Sequence, residues 1–233
     1  MISRSYMYAF SNYSVILIIL LFLPQIPIEE QISITAIENA TIDEYNPDSN
    51  FSADTDLKIG YWILDKYGGS QLPEESFWIS YIKFDLSDAP TNFVNAELKL
   101  EFLFVEAAEL LEIYETSSLW SEYAITWNNA PSNEDLLAES YVYEENVYSF
   151  DVKSIVEENA GYWSICLALN DSNWMLLASR KCYSEYEPPQ IIYYTTTIYI
   201  PLISNFGLIL ILLVTIIGFL AFYNHWIKKR EIK

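Results

Sequence analysis

The residues with the clearest chemical potential fall into two groups. Between 43 and 56 the chain carries Asp43, Glu44, Asn46, Asp48, Asn50, Asp54 and Asp56. A hard cation such as Ca2+ gathers several oxygen ligands from loops of this kind, and Asp43, Asn46, Asp48, Asp54 and Asp56 form the candidate set. The register is not that of an EF-hand, with no Gly at the sixth position and no Glu at the twelfth. The competing reading is a solvated turn in which Asn and Asp bond their own backbone. The second group is aromatic, drawn from seven Trp and nineteen Tyr. Sugars stack on exposed rings, which present flat apolar surface. Tyr61 and Trp62, ahead of Gly68-Gly69, and Trp174, at an expected hairpin tip, are the candidate platforms. The bland alternative gives each a structural role, and Trp120 and Trp127 read as core.

Other chemistries lack their parts. The only His is His225, close to the C-terminus, so a nucleophile elsewhere has no imidazole base. A zinc site has no ligands beyond carboxylates and two Cys. Carboxylate pairs for glycoside cleavage are easy to assemble from so many acids, which removes their specificity. The expectation is a non-catalytic protein. Cys166 and Cys182 flank Asp171-Ser172-Asn173, a turn-like set between two apolar runs. A hairpin there sets the two Cys opposite each other, and in an exported chain the expectation is a disulfide.

Charge divides the chain. Twelve basic residues face thirty-two acidic ones. Arg4 and the tail residues Lys228, Lys229, Arg230 and Lys233 lie outside the central part, as does Glu231. That part keeps seven basic against thirty-one acidic residues, about −24. Phosphate binding needs a basic surface, so nucleic acid is excluded as a partner. Divalent cations, basic partners and neutral glycans stay open, as does an acidity that serves only solubility.

The middle of the chain has strand periodicity. Leu98, Leu100, Phe102 and Phe104 alternate with Lys99, Glu101 and Leu103, flanked by Glu97, and Ile79, Tyr81 and Lys83 alternate with Ser80, Ile82 and Phe84. Further strands are expected at 57–64, 110–115, 147–151, 163–170, 174–182 and 190–199. One short helix is expected at 152–159 with Asp151 at its start. Turn clusters such as 46–50, 68–70 and 128–131 separate them. Many short strands with such punctuation predict an all-β fold, a β-sandwich jelly roll over 41–195.

The termini read as membrane segments. Residues 206–223 (FGLILILLVTIIGFLAFY) are apolar apart from two Gly and Thr215, and Lys228-Lys229-Arg230 follows. The expectation is a transmembrane α-helix at 202–225 and a basic cytoplasmic tail at 226–233. At the N-terminus, Arg4 precedes the short run Val15–Leu23 (VILIILLFL), which ends at Pro24. Residues 1–36 read as a signal peptide or as an uncleaved signal anchor reaching back towards Tyr6. Ile34-Thr35-Ala36 is the candidate cleavage site, and nothing reads as A-x-A. The protein is thus expected at the cell membrane, single-pass, with its domain extracellular and its C-terminus cytoplasmic. Asn39, Asn50 and Asn170 open sequons.

A resemblance covers nearly all of the central part. TIDEYNPDSNFSADTDLKIG at 41–60 resembles the opening of the DNRLRE domain, grouped with family 96 of the carbohydrate-binding modules. SYIKFDLSDAP at 80–90 and NAELKLEF at 95–102 resemble its second and third strands. IYETSSLWSEYAITWNNAP at 113–131 is the most specific match, and 148–169 and 176–194 complete the order. The resemblance implies a jelly-roll sandwich of secreted and surface proteins, often attached to polysaccharide-acting enzymes. It also implies that some members bind alginate-like polymers through basic side chains. This chain departs there, because Lys83, Lys99, Lys153, Arg180 and Lys181 are five of only seven basic residues in the central part. The expected function is a membrane-anchored, non-catalytic recognition module for a cell-surface or environmental glycan. A structural or adhesive protein making protein–protein contacts is the alternative. An exposed aromatic platform beside polar side chains discriminates the first from the second.

Overall fold

A computed structural model describes residues 28–64, 74–170 and 173–197, with Leu213 and residues 216–218. The expected leader and the 202–225 segment lie outside the described residues, apart from those last four and residues 28–36. Among the described residues no helix is long and apolar enough to cross a membrane.

The described chain is all-β. Its strands are β1 (Ile28–Thr35), β2 (Glu38–Asp43), β3 (Asp56–Leu64), β4 (Glu74–Asp85), β5 (Asn95–Val105), β6 (Glu109–Thr116), β7 (Asn133–Val142), β8 (Val147–Asp151), β9 (Tyr162–Leu169), β10 (Trp174–Ala178) and β11 (Gln190–Thr197). A short helix, α1 (Lys153–Glu158), sits between β8 and β9. The Asp151 carboxylate receives the Lys153 N–H at 3.0 Å, which fixes where α1 begins. The strand order is β1-β11-β5-β10-β3-β4-β9-β6-β7, with β2 added to β4 and β8 to β5.

This sheet curls because its long strands change partners part-way. Along one edge of β5, residues Asn95–Lys99 pair with β11 and residues Phe102–Val105 pair with β10. The stretch 179–189 between β10 and β11 therefore leaves the sheet as a loop. On β4, Glu74–Trp78 pair with β3, and Ser80–Asp85 pair with β9. At the corner, one edge of β3 meets the face of β2 and β4. There the Lys58 N–H donates to Thr41 Oγ1 at 2.9 Å, and the Lys58 carbonyl accepts from Ser80 Oγ at 2.7 Å. Two buried hydroxyls thus stand in for a missing strand partner, as buried backbone groups require. Gly60 lets the chain turn there: its φ is +97°, and a Cβ would meet the Asn173 carbonyl oxygen at 2.2 Å.

Two apolar clusters result. The main core lies inside the curl, with Ile82, Phe84, Leu98, Leu100, Ile165 and Leu167 among its members. β5 alternates buried and half-buried residues, as its sequence predicts. β9 is buried at nearly every position. Its second face looks away from the main core and carries Cys166, which joins Ala40, Ile42, Tyr81, Trp120 and Ile125 in a smaller cluster. The 117–132 stretch supplies Trp120 and Ile125, so this loop acts as a lid over the outer face. A strand covered on both faces reads as a continuous apolar run.

The cysteine pairing is corrected. β9 and β10 form no hairpin: β3 and β4 lie between them in the strand order. Cys166 and Cys182 are both free thiols. Cys166 donates to Asn133 Oδ1 at 3.0 Å, whereas Cys182, in the 179–189 loop, donates to the Tyr186 carbonyl at 3.5 Å. Each strand took a different neighbour, so the sequence turn did not bring the thiols together. Burial pushes the Cys166 thiol up to about 12, which suppresses its reactive thiolate. A thiol-alkylating reagent is therefore expected to label Cys182 in the native protein and Cys166 only after denaturation. Non-reducing peptide mapping that finds the two linked would show this arrangement to be wrong.

Candidate functional site

The oxygen-rich stretch lies at the surface except for Asp43: Glu44, Asn46, Asp48 and Asn50 are exposed, and Asp54 and Asp56 are half-buried. Asp43 is buried, with Oδ1 receiving the Tyr45 N–H at 3.0 Å and Oδ2 receiving Asn46 Nδ2 at 2.7 Å. Ser76 adds its hydroxyl to Oδ1. Asp48 accepts Asn128 Nδ2 at 2.8 Å, and Asp54 pairs with Lys58 at 3.0 Å. Asp56 opens β3 opposite Ala178. Asn50 donates its amide to the carbonyls of Glu122 and Ile125, each at 2.7 Å. These are the hydrogen bonds of an Asx-rich turn. Among the described residues no three His, Cys, Asp or Glu side chains are grouped to hold a metal. The sequons separate likewise: Asn39 is buried, the Asn50 amide is committed, and Asn170 is exposed.

The charged centre of the molecule lies where this turn meets the 117–132 lid. Glu122, 1% exposed, is its hub. Its Oε2 accepts Arg180 Nε at 2.8 Å, and Arg180 Nη2 bonds its Oε1. Lys181 Nζ lies 3.3 Å from the same Oε1. The Asn39 N–H donates to Glu122 at 3.3 Å, and the Glu122 N–H donates back to Glu38 Oε2 at 2.9 Å. Glu38 also pairs with Lys83 at 3.1 Å. Lys83, 5% exposed, lies 4.5 Å from the Trp120 ring centroid and bonds the Trp120 carbonyl. A desolvated cation over Trp is worth about 2 kcal/mol. Three separate segments thus meet at the Glu122 carboxylate, namely the lid, β2 and the 179–189 loop, and β4 joins them through the Lys83–Glu38 pair.

The lid's own residues serve its shape. Asn129 accepts the Thr126 N–H at 2.7 Å and donates to the Ala124 carbonyl at 2.8 Å. Tyr81 donates its hydroxyl to the Pro131 carbonyl at 2.8 Å. Trp120 is buried and Trp127 packs against the outer cluster, as expected. Most of the motif WSEYAITWNNAP therefore holds the lid in shape and seats it on the outer cluster.

The aromatic candidates separate. Trp174 sits opposite Gly60, stacked on Phe104 with centroids 4.5 Å apart, and meets Trp78 edge-on at 6.2 Å. Lys58 lies 5.8 Å over the Trp78 ring. The members of this row are half-buried, and so is Tyr61. The Trp62 backbone pairs with Ser76, while its side chain lies outside the described residues. The strongly exposed rings lie elsewhere. Tyr123, 73% exposed, has Lys181 Nζ at 5.4 Å from its centroid and neighbours the Glu122–Arg180 pair. Tyr141 and Tyr143 stack at 5.9 Å and are exposed. The sequence reading missed both because exposure of a Tyr depends on what packs over it; Tyr123 is signalled only by following Glu122 in the lid motif.

Comparison with known families places the domain. The model of carbohydrate-binding module family 96 matches residues 30–189. No curated protein matches the chain.

The hub makes stability depend on pH. Burial alone would raise the Glu122 carboxyl, but the hydrogen bonds from Arg180, Tyr123 and the Asn39 N–H, with the Arg180 charge, bring it down from 4.5 to about 2. A lowered folded-state value stabilises above the unfolded one. This contribution is therefore complete above about pH 4.5 and is lost as pH falls towards 2. Glu122→Gln is expected to cost about 3 kcal/mol at neutral pH, because it leaves the buried partners without their counter-charge. It should also flatten the acid limb of the stability curve. Denaturant unfolding of both proteins between pH 2 and 7 checks this, and identical acid limbs would show that Glu122 is not the hub.

Proposed function

We propose that this chain, which belongs to carbohydrate-binding module family 96, is a membrane-anchored, non-catalytic surface module of jelly-roll form that binds a neutral or cation-bridged glycan. The observation that carries the reading of the ligand is the fate of the cations. Ion pairs engage Lys58, Lys83, Lys153, Arg180 and Lys181 within the domain. Only seven basic residues stand against thirty-one acids in the central part. A polyanion thus finds little positive charge to meet and much negative charge to repel it. A neutral sugar needs instead an apolar ring face with polar groups at its rim. Tyr123 supplies this: its exposed ring lies beside Lys181 and the Glu122–Arg180 pair. Trp174 is packed into an aromatic row and serves the fold first.

The non-catalytic part of the reading rests on acid–base chemistry. Glu122 is held well below the neutral range by its cations, so it is ionised and paired at physiological pH. A general acid needs a carboxyl raised towards neutrality. Membrane anchoring rests on the uncharged 206–223 run and the basic cluster after it.

A glycan array probed with the full chain in detergent tests the function. Binding to a neutral glycan is expected to vary little with salt, and any binding to an acidic glycan is expected to need Ca2+ and to vanish with chelator. Tyr123→Ala is expected to weaken binding by about 1 kcal/mol or more, roughly fivefold, while the domain remains folded. Tight chelator-resistant binding to an anionic polymer would overturn the charge argument. Unchanged affinity in Tyr123→Ala would remove that ring from the site.

A further inference from the structure

The stretch read as a leader runs into the fold. β1, from Ile28, is hydrogen-bonded beside β11 at the end of the strand order. The Ala36 N–H donates to the Pro189 carbonyl at 2.9 Å, and Ser33 Oγ donates to Gln190 Oε1 at 2.7 Å. Thr195 Oγ1 donates to the Glu30 carbonyl at 3.3 Å. Ala36 is buried in the main core, and Ile34 packs against that core. Cleavage after Ala36 would remove β1 and leave the edge of β11 unpaired, although Ile191 and Tyr193 of that strand are fully buried.

Signal removal needs small side chains just before the cut. From Val15 to Ile32 the sequence is VILIILLFLPQIPIEEQI, without one Gly, Ala, Ser, Thr or Cys. The first small residues after the apolar run are Ser33, Thr35 and Ala36, all within β1 or directly after it. A cleavage site and an intact sheet therefore exclude each other. The segment Tyr6–Leu23 has eighteen residues and no charge. As a helix it would cover ~27 Å, near the thickness of a hydrocarbon core.

We infer that residues 1–27 are retained as a second lipid-bilayer anchor, and that both anchors leave the domain from the same place. The contact of Thr195 with Glu30 sets the two exits side by side. Six residues separate Glu30 from Leu23, and ten separate Thr195 from Phe206. Arg4 and the cluster at 228–230 then both stay in the cytoplasm. This rests on the reading that the domain is exported.

The test is the intact mass of the full chain, carrying a C-terminal affinity tag, from the membranes of a host with signal peptidase. A second variant, Leu23→Ala with Gln25→Ala, places small residues at both cleavage-determining positions ahead of β1. The wild-type chain is expected at its full 27.1 kDa plus the tag. The variant is expected to lose about 25 residues. A wild-type chain that begins anywhere between residues 20 and 40 would overturn the retained anchor while leaving the C-terminal one in place. If the variant too stays whole and protease added to intact cells spares the domain, the export reading itself falls, and the inference with it.

Discussion

One buried carboxylate holds the outer half of this domain together. Glu122 comes from a long connection between β6 and β7 that has no regular structure of its own to fix it. It is fixed because its charge, once buried, must be matched by nearby donors. Arg180 and Lys181 of the 179–189 loop and the Asn39 N–H of β2 supply them, from two parts of the chain distant from the lid. The lid thereby closes over Tyr81, Cys166 and the outer face of β9. A hydrophobic cluster alone would cover that face without specifying which residues meet; the ionic bonds have a geometry and so set the register.

The same constraint governs what the surface can do. With so few cations in the chain, each one committed to Glu122, Glu38, Asp54 or Glu157 is withdrawn from any anionic ligand. The acidic side chains that remain keep the exterior negative. Family membership makes carbohydrate binding the natural reading, and the internal use of positive charge steers it towards sugars that ask for ring faces rather than for ion pairs. Lys181 does both jobs in part: it pairs with Glu122 and lies over the exposed Tyr123 ring.

Partner changes along β3, β4 and β5 let strands distant in the chain pair in the same sheet as sequential ones such as β6 and β7. Each long strand serves two neighbours in succession, so a connection that leaves the sheet can return further along the same edge. The 179–189 loop does so, and it carries Arg180 and Lys181 out to the lid. Gly60 and the Thr41 and Ser80 hydroxyls manage the corner that this arrangement creates. The two ends of the domain's chain meet at β1 and β11.

The amino-acid sequence by itself determined the all-β class, the positions of β5, β6, β8, β9 and α1, and the burial of Trp120 and Trp127. These follow from local properties: side-chain alternation in β5, the Asp151 turn before α1, and apolar bulk within a polar loop. It also determined the scarcity of positive charge, a matter of composition. It missed β7, whose residues Asn133–Val142 are polar and exposed on an edge, and it placed β1 within a leader. Tertiary structure alone decided the partners. The turn at 171–173 invited a hairpin that would join Cys166 to Cys182, yet β9 went to β4 and β6 while β10 went to β3 and β5. Nothing local distinguishes those choices, because strand pairing is settled by which buried faces match across the whole sheet. The same holds for Glu122 and Arg180: they lie far apart along the chain, and only folding makes their pairing the arrangement that matches the buried Glu122 charge.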